Sequence, residues 1–504
     1  MREIVTLQLG NLSNYVATHF WNAQESYFTY AEDETSLVDH NIHWRPGIGE
    51  DGSETFLPRA VVYDLKGGFG PLRKVNPMYE AAPGQDPALA ALWPGKPAVH
   101  KQTPLSQNTY QRDLDAGIKP RRLQPSDVRY WSDYSRVYYH PKSLVQLYDF
   151  ELNSSIMPFE RFETGAELFE SLDKEDEIVD RDWRPFVEEC DQMQGVQVYA
   201  SLDDAWGGFA SSYIERLRDE HPKTTIWVWG VQSPVAGVAR EKRRMRLANT
   251  ALSLNSACAQ ASMVVPLGVP DARVPASISL DSTSAWHVSA LLATAAESAS
   301  LQSRLRLGGG SSSRPLGLAD MAQCLNVSGR QTLANMRMGV GPHAVDCSSS
   351  GERPELDLSQ IGSLKDGGRL GRSGDGSERA FGRLSSVRRP EGVEDGSMDV
   401  TTTDQRPIIG SSIIRNHQTP LLYPLLDSFP SIYNYDLHGR ESIPVHTSLA
   451  SDGSIVHKMK NLRTQVAPSI SLEERENLVN GLAELGAAYE DEWSSGSDSG
   501  DDDL

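Results

Sequence analysis

The spacing of apolar residues changes abruptly near the start of the chain. Over the first ten residues apolar and polar positions alternate, as at Ile4 and Gln8, which predicts a β-strand. From Leu12 to Phe20 the apolar positions recur at the spacing of a helix. Only Gly10 and Asn11 separate the two patterns, so we predict a strand that passes directly into a helix. In α/β proteins a nucleotide phosphate often binds at such a turn, because the free N–H groups of the helix point towards it.

The middle of the chain repeats this arrangement more completely. Residues 195–202 (GVQVYASL) are almost continuously apolar, 203–208 (DDAWGG) resemble a turn, and 209–222 follow a helical spacing that stops at Pro222. Residues 224–231 (TTIWVWGV) form the next apolar run. A strand, a helix and a second buried strand predict a parallel sheet. We therefore predict an α/β fold with a Rossmann-type parallel sheet flanked by helices, and further elements at 59–65, 261–268, from Thr250 and from Trp286 to Leu305.

The composition of the chain changes after residue 306. Residues 307–317 (LGGGSSSRPLG) have the composition of a linker, and 346–404 are rich in Gly, Ser, Arg, Asp and Glu. Because so few apolar side chains cannot offset the entropy of ordering, we predict that 346–404 is a disordered insertion. We expect 307–345 and 405–489 to form a C-terminal α+β domain, and 490–504 to be an acidic tail.

Charge and hydropathy exclude several classes of function. The formal net charge is −20, whereas binding to nucleic-acid phosphates needs clustered Lys and Arg, so no direct nucleic-acid partner is expected. No apolar run approaches the roughly 20 residues that span a bilayer, and the N-terminus lacks the features of a cleavable presequence. Any association with an organelle is therefore expected to be peripheral. No Cys or His residues have the spacing of metal ligands, so no metal is expected either.

Four segments, in order over about the first 300 residues, resemble tubulins. The opening MREIV…FW resembles the start of a tubulin, and LPRAVVYDL (57–65) resembles the strand before a nucleotide loop. CDQMQGVQVYASL (190–202), with the helix YIERLRDEHP after it, resembles the approach to the phosphate loop. NTALSLN (249–255) is similar to the segment whose Asn contacts guanine. This resemblance implies the tubulin fold, and GTP as a candidate cofactor.

The departures from tubulins fall in the loops that would hold the phosphates. Tubulins have a run of glycines there, because main-chain N–H groups must approach the phosphates without an intervening Cβ. This chain has Asp203-Asp204-Ala205-Trp206-Gly207-Gly208, and two desolvated carboxylates would repel a triphosphate by on the order of several kcal/mol. We expect a surface turn in which Trp206 covers apolar surface. The acidic loop by which polymerising tubulins activate hydrolysis has no counterpart after Arg306, so neither GTP hydrolysis nor any other catalysis is expected.

A degenerate nucleotide site is the candidate site that the tubulin resemblance leaves. Asn11 could donate to a phosphate or sugar oxygen, or it could be a turn residue that bonds its own backbone. Asn249 could contact a base, or it could cap a helix that begins at TALSL. Lys66 stands where tubulins have an acidic residue, although Asp64 remains. The candidate cofactor-binding residues are Gly10, Asn11, Asn14, Asp64, Gly207, Gly208 and Asn249.

Two other segments resemble the narrower Misato family of tubulin-like proteins, namely VRYWSDYSRVYYHPKS (128–143) and LADMAQCLNVSGRQTL (318–333). THFWNAQESYF near the N-terminus fits the same family. The resemblance implies that 1–115 form the Misato segment II tubulin-like region and 116–306 the Misato tubulin-like domain. Within the first segment, Asp133 and Arg136 are expected to form a local ion pair.

The Misato resemblance implies a non-enzymatic role in the inheritance of mitochondria and mitochondrial DNA, and in mitochondrial distribution and morphology. It implies protein partners at the mitochondrial surface or in the cytoskeleton, the cytosolic chaperonin among them, and a peripheral mitochondrial and cytoplasmic location. Two alternatives stay open. One is a GTP-binding regulator with little hydrolysis, and the other is a chaperonin-linked factor for tubulin or cytoskeleton assembly.

Overall fold

The computed structural model describes residues 2–29, 36–48, 54–72, 105–270, 274–306, 315–345, 355–359, 361, 380–390, 412–435, 441–470 and 472–490. The strands are β1 (Ile4–Leu9), β2 (Trp44–Ile48), β3 (Glu54–Pro58), β4 (Ala60–Lys66), β5 (Leu144–Glu151), β6 (Gly195–Ser201), β7 (Thr225–Val231), β8 (Met263–Leu267), β9 (Asn335–Val340), β10 (Leu356–Asp357), β11 (Ala380–Arg388), β12 (Ile413–Thr419), β13 (Tyr423–Pro424), β14 (Ser442–Ile443) and β15 (Val445–Asp452). The helices are α1 (Asn11–Glu25), α2 (Thr109–Asp115), α3 (Phe162–Asp176), α4 (Arg184–Glu188), α5 (Ala205–Glu220), α6 (Arg240–Gln260), α7 (Ala285–Ser300), α8 (Leu318–Leu325), α9 (Pro342–Val345), α10 (Ser454–Val466) and α11 (Leu472–Ala487). Among these residues no helix is both long and apolar enough to cross a membrane.

The predicted parallel sheet is confirmed. In the described residues it has six strands in the order β5-β4-β1-β6-β7-β8, all paired in parallel. Every residue of β1, β6, β7 and β8 is buried, as expected for a sheet covered on both faces. The side chains of β1 alternate between the two faces: Ile4 packs with α1 and α7, whereas Val5 and Leu7 pack with α3, α5 and α6.

A second sheet packs against the far side of α7. Its strand order is β10-β9-β15-β11-β12, and β11 is a central strand that pairs with β15 on one side and β12 on the other. The apolar core around α7 includes Tyr199 and Trp229 of the first sheet and Leu384 and Leu449 of the second. The two sheets therefore share one hydrophobic core.

The expectation of disorder across 346–404 is wrong where the structure describes this span. Residues 380–388 form the nine-residue strand β11, and Leu356–Asp357 form β10. The sequence AFGRLSSVR is poor in apolar residues, yet Leu384 and Arg388 are buried by elements that are distant in the sequence. The other residues of the predicted insertion, most of the linker at 307–317 and the acidic tail beyond Glu490 lie outside the described residues.

A buried ionic cluster holds β11 against the first sheet's helices. Glu297 of α7 accepts hydrogen bonds from Arg388 (Nη1 to Oε2, 2.7 Å) and Arg304 (Nη2 to Oε1, 2.6 Å), and all three side chains are completely buried. Gln24 of α1 and Tyr27, two residues beyond the end of α1, donate to the same carboxylate at 3.2 and 3.0 Å. The two guanidinium groups hold the pKa of Glu297 below its ordinary value, although burial opposes this shift. This cluster joins α1, α7 and β11 through charge-assisted hydrogen bonds.

Candidate functional site

The two predicted phosphate loops meet at one edge of the parallel sheet. β1 and β6 are neighbouring strands in register, with Leu9 opposite Ala200, so the loops at their carboxyl ends lie side by side. Gly10 adopts a φ of 103°, which favours glycine, and its carbonyl accepts the first helical hydrogen bond of α1 from the Asn14 N–H at 2.9 Å. The chain thus keeps the turn geometry that the sequence predicted for the first loop.

The indole of Trp206 fills the space between these loops. A Cβ placed on Gly10 would lie only 2.8 Å from Trp206 Cγ and Cδ1, so the ring packs directly on the glycine backbone. Trp206 is 2% exposed and makes edge-to-face contacts with Phe159 and Phe209, at centroid distances of 5.3 and 5.4 Å. The expectation of a surface turn is therefore wrong. The turn is buried because α5 already begins at Ala205 and carries the indole inwards.

The two carboxylates of the second loop have internal partners. Asp204 is the N-cap of α5, and its Oδ1 accepts a 2.9 Å hydrogen bond from the Trp206 N–H. Asp203 Oδ2 accepts from the Ser233 N–H at 3.1 Å and lies 3.8 Å from Arg246 Nε. Burial, together with the neighbouring Asp203, raises the pKa of Asp204 to about 8. Asp204 therefore occupies the N–H group at the start of α5 that a phosphate would otherwise use.

Gly207 and Gly208 lie inside α5 rather than in a phosphate-binding loop. A Cβ on Gly207 would meet Ser253 Oγ of α6 at 2.0 Å, and a Cβ on Gly208 would meet the Phe162 carbonyl oxygen at 1.9 Å. Gly165 of α3 makes the reciprocal approach to the Ala205 carbonyl. Gly165 and Gly208 are required because the backbones of α3 and α5 touch where these helices cross, whereas Gly207 leaves room for Ser253 of α6.

Asp64 is the centre of a buried hydrogen-bonded group at the end of β4. Its Oδ2 accepts from Asn11 Nδ2, Asn14 Nδ2 and Trp131 Nε1 at 3.1, 3.0 and 3.0 Å. Its Oδ1 accepts from the Leu65 N–H at 2.9 Å. Burial raises the pKa of Asp64 although these hydrogen bonds oppose the shift. The structure thus brings Asn11, Asn14 and Asp64 together. The two Asn amides link the start of α1 to the end of β4 through the Asp64 carboxylate.

Trp131 is the partner of Asp64 that the sequence analysis missed. It lies in the short 3₁₀ helix Trp131–Tyr134, within the segment 128–143, and is completely buried. The expected ion pair between Asp133 and Arg136 is wrong. Asp133 instead pairs with Arg129 at 3.2 Å, and Arg136 pairs with Glu25 of α1 and Asp427 at 3.0 and 2.8 Å. The segment therefore packs between α1 and β4, and its Trp131 and Arg136 bond Asp64 and Glu25.

Asn249 lies in the middle of α6, so the interpretation of Asn249 as a helix cap is wrong. The helix begins nine residues earlier, at Arg240, and the residue is 3% exposed. Its Nδ2 donates to the carbonyl oxygens of Glu160 and Asp203 at 2.6 and 3.1 Å, and its Oδ1 accepts from the Phe162 N–H at 3.1 Å. The amide therefore fastens two loops and has both of its polar atoms engaged within the protein.

The arrangement does not fit a nucleoside triphosphate. Trp206 occupies the space between the loops, Asp204 accepts the N–H of the second residue of α5, and two carboxylates replace bare backbone. The amides of Asn11 and Asn249 already donate to protein oxygens. Within the described residues no group of three or more His, Cys, Asp or Glu side chains could hold a metal ion. The chemistry that these residues support is structural hydrogen bonding.

Comparison with known proteins gives a family for this arrangement. Residues 2–116 match the model of the Misato Segment II tubulin-like domain, and residues 120–305 match that of a tubulin domain. The chain is 54% identical over 506 residues to Protein DML1 of Gibberella zeae, and 45% identical over 548 residues to Protein dml-1 of Neurospora crassa, in each case over the whole of both chains. It is 29% identical over 373 residues to Protein misato homolog 1 of Bos taurus, covering 66% of this chain and 64% of that protein.

Proposed function

Since this chain belongs to the Misato family of tubulin-like proteins, we propose that it is a non-enzymatic interaction factor that partitions mitochondria and mitochondrial DNA to daughter cells. In this proposal it works at the mitochondrial surface, as a peripheral protein, and in the cytoplasm. Its partners are proteins of the mitochondrial surface or the cytoskeleton.

One observation carries the non-enzymatic part of this proposal. Trp206 and Asp204 use the space and the N–H group that a bound phosphate would need. A GTPase cycle changes a protein's shape only through the difference in affinity that the nucleotide has for two conformations. Because the protein's own side chains fill this space and accept this N–H group, few hydrogen bonds remain for a nucleotide to make. This favours recognition of protein partners over a nucleotide switch.

The nucleotide part of the proposal is tested on the purified full-length chain. The released small molecules are analysed after denaturation, and GTP is titrated calorimetrically with a polymerisation-competent tubulin as the positive control. We expect no co-purified guanine nucleotide and no saturable heat. Stoichiometric, saturable GTP binding would overturn the proposal in favour of the GTP-binding regulator.

The cellular part is tested by depleting the chain in its own host and counting daughter cells that lack mitochondria or mitochondrial DNA. We expect both classes of daughter cell to increase before growth arrests. If tubulin polymer falls first and mitochondrial DNA is inherited normally, the role in inheritance is wrong and the chaperonin-linked assembly factor takes its place.

A further inference from the structure

The second sheet carries two arginines on the face that points away from α7. Arg337 of β9 follows Met336, and Arg383 of β11 precedes Leu384; both apolar residues pack in the core around α7. Because successive side chains of a strand point to opposite faces, the two arginines lie on the outer face of the sheet. Both side chains are partly buried.

Small residues separate these two arginines. Arg337 pairs with Ser448 of β15, Ser448 pairs with Ser385 of β11, and Arg383 pairs with Ala450. The two arginine Cα atoms are therefore two strands and two residues apart, which is a distance on the order of 12 Å. We call the surface formed by Arg337, Arg383, Ser385 and Ser448 the arginine face. It presents two guanidinium groups with two hydroxyl groups between them.

Neither guanidinium group has a hydrogen-bond or ion-pair partner in the part of the chain that the structure describes. Arg383 Nε is buried and makes no hydrogen bond there. Partly buried cations are normally paired, because a cation that loses water without gaining a partner costs free energy. The arginine face therefore indicates a site for negatively charged groups.

The acidic side chains around the arginine face are engaged elsewhere. Asp357 lies opposite Arg337 in β10, but its Oδ2 accepts from Lys458 Nζ at 3.3 Å and its Oδ1 accepts from a main-chain N–H at 2.9 Å. Glu355 lies 3.2 Å from Nδ1 of the histidine in β15. Asp452 accepts a 3.0 Å hydrogen bond from the asparagine at the start of β9. Carboxylates for the two arginines must therefore come from beyond the described residues.

The last described residues lie at the start of the same two strands. Tyr489 Oη donates to the Leu333 carbonyl at 2.6 Å, and its ring packs on Phe381 at a centroid distance of 6.4 Å. Leu333 precedes Arg337 by four residues, and Phe381 precedes Arg383 by two. Four residues of extended chain span at most about 14 Å, so the contacts of Tyr489 lie within that distance of both arginines.

An acidic segment follows Tyr489 directly. Glu490 Oε1 lies 3.0 Å from Lys460 Nζ, so the first acidic residue already has a cationic partner. Residues 491–504 contain no Lys or Arg, and their acidic residues are Asp491, Glu492, Asp498, Asp501, Asp502 and Asp503. A chain of this length spans up to about 50 Å, so it can reach the whole arginine face. A segment tethered so close has an effective concentration in the millimolar range.

We propose that residues 491–504 bind the arginine face of their own chain. Their carboxylates pair with Arg337 and Arg383 and accept hydrogen bonds from the two serines, and such charge-assisted bonds are the stronger kind. The tether favours this occupant over an acidic segment of another protein, which must first displace the tail to reach the same arginines. This inference does not rest on the mitochondrial role, because it concerns the purified chain alone.

The test measures the binding of a fluorescein-labelled peptide of residues 490–504 to the full-length chain by fluorescence anisotropy. In a neutral-tail chain each Asp of 491–504 is replaced by Asn and Glu492 by Gln. Arg337→Gln with Arg383→Gln is added to that chain to remove the two charges, and Arg337→Lys with Arg383→Lys to keep them. Lys119→Gln with Arg121→Gln is the control, because both of these cations are exposed elsewhere. The melting temperature of each variant shows that it is folded.

We expect saturable binding to the neutral-tail chain, and at least roughly tenfold weaker binding to the natural chain, because its own tail occupies the arginine face. The Gln double variant should weaken binding by about fivefold for each arginine, and the Lys double variant clearly less, while the control binds normally. Raising the ionic strength should weaken binding as well. Equal affinity for the natural and neutral-tail chains would overturn the inference, since the tail would then leave the face open. Unchanged affinity of the Gln double variant would overturn it too, because the peptide would then bind other cations.

Discussion

Replacing Trp206 with alanine tests whether the indole is the structural filling of the former phosphate site. The side chain is 2% exposed and packs on Gly10, Phe159 and Phe209, so its removal leaves a cavity lined by an aromatic core and rigid backbone. Buried Trp-to-Ala changes typically cost about 3–5 kcal/mol of unfolding free energy, because the lining collapses only partly. We expect a loss in that range, measured by urea unfolding followed by far-UV circular dichroism.

The same variant separates a structural Trp206 from one that regulates access to a nucleotide. If the cavity accepted GTP, a concentration one hundred times the Kd would return about 2.7 kcal/mol of stability. We expect no return, because Asp203 and Asp204 still stand directly before the start of α5, where the phosphates would have to bind. Trp206→Phe, which keeps an aromatic ring in the same place, should lose clearly less stability than Trp206→Ala. A loss below about 1 kcal/mol for Trp206→Ala, or a recovery on adding GTP, would refute this reasoning.

Three further predictions concern Asp204, the buried cluster around Glu297 and the crossing of α3 and α5. The pKa of Asp204 rises from 3.8 to about 8 on folding, so the folded chain binds more protons and Asp204 lowers stability as pH rises from about 4 to 8. Asp204→Asn keeps a capping oxygen and removes this titration, so its melting temperature should depend less on pH across that window than the parent's; an unchanged slope would contradict the assignment. Glu297→Gln leaves two buried guanidinium groups without a counter-charge and should lower the free energy of unfolding in urea by about 3–5 kcal/mol. Arg388→Met leaves the Glu297–Arg304 ion pair in place and should cost less. A larger loss for Arg388→Met than for Glu297→Gln would contradict this account of the cluster. Gly208→Ala places a Cβ 1.9 Å from a backbone oxygen and should lower the free energy of unfolding by more than about 2 kcal/mol. Its control, Gly453→Ala, meets nothing within 4 Å and should change that free energy by less than about 0.5 kcal/mol. Equal effects of the two changes would refute the close helix crossing.

The parallel sheet could be predicted because its signal is local. The apolar runs at 195–202 and 224–231 correspond to β6 and β7, and the helical spacing after Gly10 corresponds to α1. In each case a single face or a whole strand is buried, so the pattern of apolar residues records the burial directly. The resemblance to tubulins and to the Misato family, which the comparisons confirm, implied the same fold.

The strand β11 could not be predicted because its burial depends on distant residues. Composition averaged over 346–404 is polar, and the strand itself contains Arg383 and Arg388. Arg388 becomes a core residue only because Glu297 supplies its charge partner and Tyr27 and Tyr423 stack on its guanidinium. These partners lie in three other parts of the chain. A polar sequence can thus form a central strand when its charges are neutralised by the fold.

The candidate site was predicted as a set of residues but not as an arrangement. Asn11, Asn14 and Asp64 do meet, whereas Gly207 and Gly208 serve a helix crossing and Asn249 fastens two loops. The DDAWGG sequence resembles a turn, and nothing local shows that the helix begins at its third residue and directs the indole inwards. The decisive contact, Trp206 on Gly10, joins residues far apart in the sequence.

A site completed by its own side chains also fixes the surfaces attached to it. In a nucleotide switch, the loops at a helix N-terminus move because the phosphate supplies or withdraws hydrogen bonds. Here Asp204 supplies that hydrogen bond permanently, and Trp206 carries Phe159, at the base of the exposed loop that contains Ile156, in a fixed position. We therefore expect the exposed loop at Ile156 and Met157 to keep one conformation whether or not guanine nucleotide is present.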